Sequence, residues 1–178
     1  MRLFLALDFP EGIKERLFSA AALLRKNAEH GSITRKENFH LTLAFLGEVP
    51  PQRIPALKEV MTAVSAPSFS LFISSIGCFH RPQGDLYWAG VESEPFLTEL
   101  QQELLKCLNE AGFSIEAQKF VPHVTLGRGI YGISPVLQNP SGLLPSMKLQ
   151  IRAFSLMQSA RVNGILTYTE LHRQLLKE

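Results

Sequence analysis

Cysteine is scarce in this 178-residue chain, which contains only Cys78 and Cys107. The two thiols have neither the spacing of a metal-binding motif nor that of a redox motif. Small secreted domains commonly depend on a disulfide framework, and this sequence offers none. The pattern is typical of a reducing compartment, so we expect a cytoplasmic protein.

Long apolar runs and an excess of one charge are also missing. The apolar run at residues 3–7 is stopped by Asp8 and Pro10, and it is too short for a signal peptide or a membrane span. Eighteen basic and sixteen acidic residues leave a net charge of +2. Because there is no run of Lys or Arg, we exclude a broad nucleic-acid-binding surface and expect a small ligand or a strand end as the partner.

A repeated tetrapeptide stands out against this ordinary background. His40-Leu41-Thr42-Leu43 recurs in the second half of the chain as His123-Val124-Thr125-Leu126. Two copies among five histidines would arise by chance on the order of a few times in ten thousand, which favours a functional interpretation over a structural one. Both copies lie in predicted strands, where residues i and i+2 point to the same face. Each strand therefore presents an imidazole and a hydroxyl side by side.

The apolar pattern predicts strands and helices in alternation. The predicted strands are residues 2–8, 39–46, 69–79, 86–91 and 121–128, and the predicted helices are residues 11–28, 50–64 and 94–110. Residues 129–146 contain Gly, Pro, Ser and Asn without periodicity, so we predict a loop that acts as a flexible lid. Residues 149–171 predict a long hairpin, with a turn at 159–164 and Asn163-Gly164 near its tip.

Moving the sequence along itself by 83 positions aligns His40 with His123. The same shift aligns residues 3–6 with residues 86–89 and Leu17 with Leu100. Both halves therefore have the order strand, helix, His strand, which indicates an internal duplication. A pseudo-two-fold arrangement would bring both His-x-Thr strands to one central groove.

Two histidines in one groove suit attack on a phosphate ester. The unperturbed pKa of histidine is about 6.5, so at neutral pH one imidazole can accept a proton while the other donates one. The hydroxyls of Thr42 and Thr125 can donate hydrogen bonds to non-bridging phosphate oxygens. Arg128, three residues beyond Thr125, could add a charge-assisted contact, although a lone arginine is as often solvated.

The chain resembles the two-histidine phosphoesterases, and within them the bacterial and archaeal RNA 2',3'-cyclic phosphodiesterases, also called 2'-5' RNA ligases. The resemblance covers nearly the whole chain. It rests on residues 1–10 (MRLFLALDFP), 37–47 (ENFHLTLAFLG) and 120–128 (FVPHVTLGR), with support from Ser159, Gly164 and Tyr168.

The resemblance implies one bilobal α+β domain over residues 1–178, with two pseudo-symmetric lobes, each an antiparallel sheet with helices, and a groove between them. It implies metal-independent hydrolysis of 2',3'-cyclic phosphates on RNA ends or nucleosides to 2'-phosphates, and the reverse 2'-5' ligation. His40 would be the proton donor, His123 the proton acceptor, and Thr42 and Thr125 would hold the phosphate. We expect no cofactor and no metal, a monomer, and base stacking on Phe9, Phe45, Phe79 or Tyr131.

Two other interpretations compete with catalysis. A non-catalytic module that binds nucleotides or RNA ends would keep the groove, but binding alone does not need two proton-transfer groups. A metalloprotein would use His40 and His123 as ligands, with Asp8 or Asp85 contributing, although no set with ligand spacing is evident. His30, His80 and His172 have no partner motif, and we interpret them as surface or incidental residues.

Overall fold

The computed structural model describes residues 1–115, 119–133 and 143–178. Within these residues the chain forms nine β-strands and three α-helices, with two short 3₁₀ turns. The strands are β1 (Arg2–Asp8), β2 (His30–Ile33), β3 (His40–Glu48), β4 (Phe69–Phe79), β5 (Asp85–Val91), β6 (His123–Tyr131), β7 (Met147–Ile151), β8 (Ala153–Val162) and β9 (Ile165–Leu175). The helices are α1 (Glu11–Lys26), α2 (Ile54–Ala63) and α3 (Pro95–Glu110).

The strands form two antiparallel sheets, which confirms the predicted α+β class. The order of strands is β3-β1-β8-β9 in the first sheet and β2-β6-β5-β4-β7 in the second. The shift that aligns the two histidines also aligns β1 with β5 and β3 with β6, and each His strand pairs with the first strand of its own half. The two lobes therefore share the unit of strand, helix and paired His strand, and the second sheet adds β2 as an extra edge strand.

Both His strands bury one face and keep the other accessible. Leu41 and Leu43 are buried in β3, while His40 and Thr42 beside them are half-buried. The same alternation holds in β6, where Val124 and Leu126 are buried. Burying each of these apolar side chains contributes about 1.5–3 kcal/mol, so a slip of one residue in register is strongly disfavoured. The core thus fixes the direction in which the imidazoles point.

The C-terminal hairpin differs from its prediction in two ways. β7 does not belong to it, because β7 pairs with β4 at the edge of the second sheet, from Phe69↔Ile151 onward. The turn is shorter than predicted, since residues 159–162 continue β8 and only Asn163 (φ 51°) and Gly164 (φ 80°) form the turn. Two positive φ angles are typical of the type I′ turn that suits twisted strands. Apolar alternation alone does not reveal which sheet a strand joins.

The predicted loop is wrong at its beginning. Residues 129–131 extend β6, where Tyr131 pairs with His30 of β2. The sequence did not predict β2, because its four residues, His-Gly-Ser-Ile, show no apolar alternation. Residues 134–142 of the predicted lid lie outside the described residues. Among the described helices, none is both long enough and apolar enough to cross a membrane.

Candidate active site

The two His strands meet where the sheets adjoin. β3 is the edge strand of the first sheet, and it contacts β6 of the second. Arg128 on β6 lies near enough to His40 on β3 for its charge to act on that imidazole. The structure therefore brings together the five residues that the sequence singled out, which are His40, Thr42, His123, Thr125 and Arg128.

Both imidazoles are anchored in the same way. The Nδ1 atom of His40 lies 2.7 Å from the Asn38 carbonyl oxygen, and the Nδ1 atom of His123 lies 2.7 Å from the Val121 carbonyl oxygen. A carbonyl oxygen only accepts, so Nδ1 must carry a proton in both rings. Nε2 is therefore the nitrogen of each ring whose lone pair is left free. Each anchor lies two residues before its histidine, so the anchor repeats with the duplication.

Each imidazole is packed between two aromatic rings. The His40 ring lies 4.8 Å from Phe4 and 5.1 Å from Tyr168, the latter edge-on. The His123 ring lies 5.5 Å from Phe79, edge-on, and 6.3 Å from Trp88. These contacts hold the rings by packing as well as by hydrogen bonds. Sequence reasoning missed Phe4, Trp88 and Tyr168 as site residues, and strand pairing is the missing signal, since Trp88 pairs with Thr125.

The environment of His40 favours its neutral form. Burial lowers the pKa of this imidazole, and the positive charges of Arg128 and Lys14 lower it further. The hydrogen bond to the Asn38 carbonyl and the carboxylate of Asp8 act in the opposite direction without cancelling the effect of burial. Asp8 is partly neutralised by Lys14, whose Nζ lies 2.6 Å from its carboxylate. Nε2 of His40 is then an acceptor, 3.1 Å from the Thr42 hydroxyl.

Arg128 reaches toward the site while its side chain stays open to solvent. Its Nη2 donates to the Thr125 hydroxyl at 3.5 Å. Partial burial lowers the pKa of this guanidinium from its ordinary value, but an arginine stays charged at any physiological pH. Thr34, just beyond β2, donates its hydroxyl to the Thr125 carbonyl at 2.8 Å. The unpredicted strand β2 therefore supports the strand that carries Thr125 and Arg128.

The four aromatic residues proposed for base stacking differ in their exposure and their contacts. Phe9 is buried in the hydrophobic core, so that candidate is wrong. Phe79 already packs against His123. Phe45 is 66% exposed, and Tyr131 is partly exposed with its hydroxyl donating to the Pro82 carbonyl. Phe45 thus offers an accessible ring on the strand that carries His40, 6.3 Å from Phe4.

The carboxylate of Asp85 lies away from the paired histidines. Asp85 begins β5, whereas His123 pairs with Gly90 near the other end of that strand. Five residues of strand span about 16 Å, too far for one ion to be shared. Asp85 instead contacts His80 and lies close to Cys78. A ligand set of His123 with Asp85, which the sequence left open, is therefore not assembled.

Known proteins are similar to this chain in both sequence and fold. The family model described as LigT like phosphoesterase matches residues 7–87. An RNA 2',3'-cyclic phosphodiesterase from Thermotoga maritima is 39% identical over 134 residues, which are 74% of this chain and 71% of the relative. Its namesake from Escherichia coli K12 is 30% identical over 178 residues, covering 99% of this chain and 97% of the relative. The crystal structure of E. coli LigT complexed with 3'-AMP matches with a TM-score of 0.79 and 28% identity, over 99% of this chain and 98% of that one.

Two adjoining sheets that each carry a His-x-Thr strand are the arrangement of a two-histidine phosphoesterase. The similarity to the E. coli relative extends over nearly the full length of the chain. The chain belongs to the LigT-like phosphoesterase family.

Proposed function

We propose that the protein hydrolyses 2',3'-cyclic phosphates on RNA ends and nucleosides to 2'-phosphates, without a metal ion in the reaction. The observation that carries this proposal is the matched anchoring of two imidazoles, each with Nδ1 on a carbonyl oxygen at 2.7 Å. Because Nδ1 of each ring is held by a carbonyl oxygen, Nε2 is the nitrogen available for proton transfer. The names of the curated relatives supply the substrate class.

His123 and His40 divide the proton transfers in this proposal. Nε2 of His123 takes a proton from water as its oxygen attacks phosphorus. The bond from phosphorus to the 3'-oxygen breaks, and Nε2 of His40 gives that oxygen its proton, so the phosphate stays on the 2'-oxygen. Each transfer contributes about a hundred- to ten-thousand-fold to the rate.

The phosphate is held by Thr42, Thr125 and Arg128. The two hydroxyls donate to non-bridging oxygens as negative charge develops there, and the guanidinium adds a charge-assisted contact. Arg128 already lies 3.5 Å from the Thr125 hydroxyl, so both donors can act on the same phosphate. The same phosphate anion favours the protonated, proton-donating form of His40, because a negative charge beside the imidazole raises its pKa.

Ligation needs no further groups. If the 5'-hydroxyl of a second RNA takes the place of water, His123 takes the proton of that hydroxyl and His40 gives one to the leaving 3'-oxygen, which joins the ends through a 2'-5' linkage. The same two histidines therefore serve both hydrolysis and ligation.

The site also bears on the state of the protein in the cell. One chain supplies both histidines, so we propose that it acts as a monomer. Cys78 and Cys107 are both free thiols, which supports a cytoplasmic location. Light scattering at micromolar concentration tests the monomer, which a dimer mass would contradict.

The activity is tested with 2',3'-cyclic nucleotides in an excess of chelator. We expect turnover to continue and the product to be the 2'-monophosphate, identified by chromatography against the 3'-isomer. The His40→Ala, His123→Ala double variant is the control for contaminating enzymes. Turnover that disappears in chelator and returns with zinc or magnesium would overturn the metal-free mechanism.

A further inference from the structure

A second group of chemically active side chains lies outside the catalytic cleft. Cys78 is near the end of β4, His80 follows that strand, and Asp85 begins β5. One ligand atom from each residue lies within 4.8 Å of the other two. Nδ1 of His80 is 3.8 Å from the Cys78 sulfur and 3.1 Å from Oδ2 of Asp85. Thiolate, imidazole and carboxylate are the three ligand types that zinc takes in proteins.

Two of the three distances in this group are close to the edges of a zinc tetrahedron, and the third, between Cys78 and Asp85, is within 4.8 Å. Bonds of about 2.3 Å to sulfur and about 2.0–2.1 Å to nitrogen or oxygen require edges of about 3.5 Å between sulfur and nitrogen and about 3.3 Å between nitrogen and oxygen. The observed 3.8 Å and 3.1 Å differ from these edges only slightly. Small side-chain rotations would therefore let the three atoms surround one ion, with water as the fourth ligand.

The surroundings orient these ligands and leave them accessible. The backbone N–H of Arg81 donates to Oδ1 of Asp85 at 3.4 Å, which leaves Oδ2 facing His80. Such outer contacts are typical of carboxylates that bind metals. The connecting turn is closed by a hydrogen bond from the Gly84 N–H to the Arg81 carbonyl, and Gly84 has a φ of +95°. The His80 side chain is 85% exposed, so an ion can enter from solvent.

We propose that Cys78, His80 and Asp85 form a zinc-binding site that is separate from the catalytic histidines. The ion clamps the turn between β4 and β5. Phe79 lies between two of the ligands in sequence, and its ring contacts His123. The clamp therefore holds the end of the strand that positions this ring, while the ion itself touches no reacting atom. Because the ion takes no part in the proposed reaction, the site is tested by metal binding and thermal stability and not by turnover.

The test is a cobalt titration of the metal-free protein. We expect one equivalent of Co²⁺ to give the visible bands of a tetrahedral ion together with a thiolate-to-cobalt charge-transfer band. Zinc should displace the cobalt, as it binds such sites more tightly. His80→Gln and Cys78→Ser should each weaken binding by more than about tenfold, and Cys78→Ser should also abolish the charge-transfer band. Because His80 is exposed, His80→Gln leaves the fold intact.

Two matched controls separate this site from other ligands in the chain. Cys107→Ser removes the other thiol, and the His40→Ala, His123→Ala double variant removes the catalytic imidazoles; both should bind cobalt as the wild type does. Zinc should raise the Tm of the wild type and of both controls but not that of His80→Gln. Binding without a charge-transfer band, binding unchanged in His80→Gln, or binding lost in the double variant would each overturn the proposal.

Discussion

At the scale of single residues, the two histidines differ in what supports their anchors. Asn38, whose carbonyl accepts from His40, is buried, and its Nδ2 donates to the Leu166 carbonyl on β9 at 3.0 Å. Val121, which anchors His123, is 41% exposed. The His40 anchor is therefore tied to a second strand. The sequence predicted the histidines and threonines because their spacing repeats, but nothing in the spacing predicted this difference.

Replacing either histidine tests the proton-transfer roles. His40→Ala and His123→Ala should each lower kcat by at least about a hundredfold. The double variant should lose much less than the product of the two effects, because the residues act as a unit. Thr42→Ala and Thr125→Ala should cost about 1–3 kcal/mol each in kcat/KM, as expected for the loss of a phosphate donor. A fully active single-histidine variant in steady-state assays would contradict the assignment.

The lowered pKa of His40 gives a pH signature. In the free enzyme the protonated donor is lost, as pH rises, at a lower pH than the ordinary value of about 6.5. In the substrate complex the phosphate anion raises this pKa, so the loss comes later. Since kcat/KM reports the free enzyme and kcat the complex, the alkaline limb of kcat/KM should lie at lower pH than that of kcat. Alkaline limbs at the same pH would mean that bound substrate does not raise the pKa of His40.

The acidic and alkaline limbs of a pH profile belong to the coupled pair of histidines and not to either residue alone. A second measurement is therefore needed to assign the proton donor and the proton acceptor. A substrate with a very good leaving group needs no proton donor. It should rescue His40→Ala more than His123→Ala. Equal rescue, or rescue of His123→Ala alone, would reverse or void the division of roles and leave the site itself intact.

At the scale of elements, the hydrogen bond between Asn38 and β9 gives a matched pair of variants. Asn38→Ala leaves the Leu166 carbonyl without its side-chain donor, which should cost about 1–3 kcal/mol of unfolding free energy. It should also lower kcat, because the His40 anchor loses its support. Val121→Ala, at the equivalent position of the other half, should change neither quantity much. Urea denaturation and steady-state kinetics measure both, and equal effects would contradict the asymmetry.

The elements that were predicted correctly have a strong local pattern. The His strands alternate cleanly, and α1 carries its buried Leu17, Ala20, Ala21 and Leu24 at helical spacing. The sequence could not reveal β2, which is short and polar and forms only by pairing with β6. It also could not separate β7 from the hairpin, because partner choice depends on distant residues. The aromatic rings around both histidines were missed for the same reason.

At the scale of the whole molecule, we propose that the two lobes unfold together as one domain. One cluster of buried side chains contains residues from both sheets, Leu5 and Leu41 from the first and Val124 and Leu71 from the second among them. Small single domains with a continuous core usually unfold in one transition. The chain has one tryptophan, Trp88 on β5, so fluorescence reports the second sheet.

Leu41→Ala in the first sheet tests this coupling. Deleting a fully buried leucine should cost about 2–5 kcal/mol, and it should shift the Trp88 fluorescence transition and the circular dichroism transition by the same amount. Phe45→Ala, on the same strand but at an exposed ring, should leave both transitions nearly in place. A Trp88 transition that stays fixed while the dichroism splits would show two independently folding lobes.

The interleaving of the strands has a consequence for synthesis on the ribosome. β1 is buried along most of its length, yet one of its two partners, β8, is translated long after it. Until residues 153–162 emerge, the nascent chain must carry an apolar strand with one open edge, a surface that chaperones recognise and that invites aggregation. The first sheet, which presents His40, thus cannot close before β8 and β9 have been made. We therefore expect a nascent chain that stops before β8 to lack the paired histidine site.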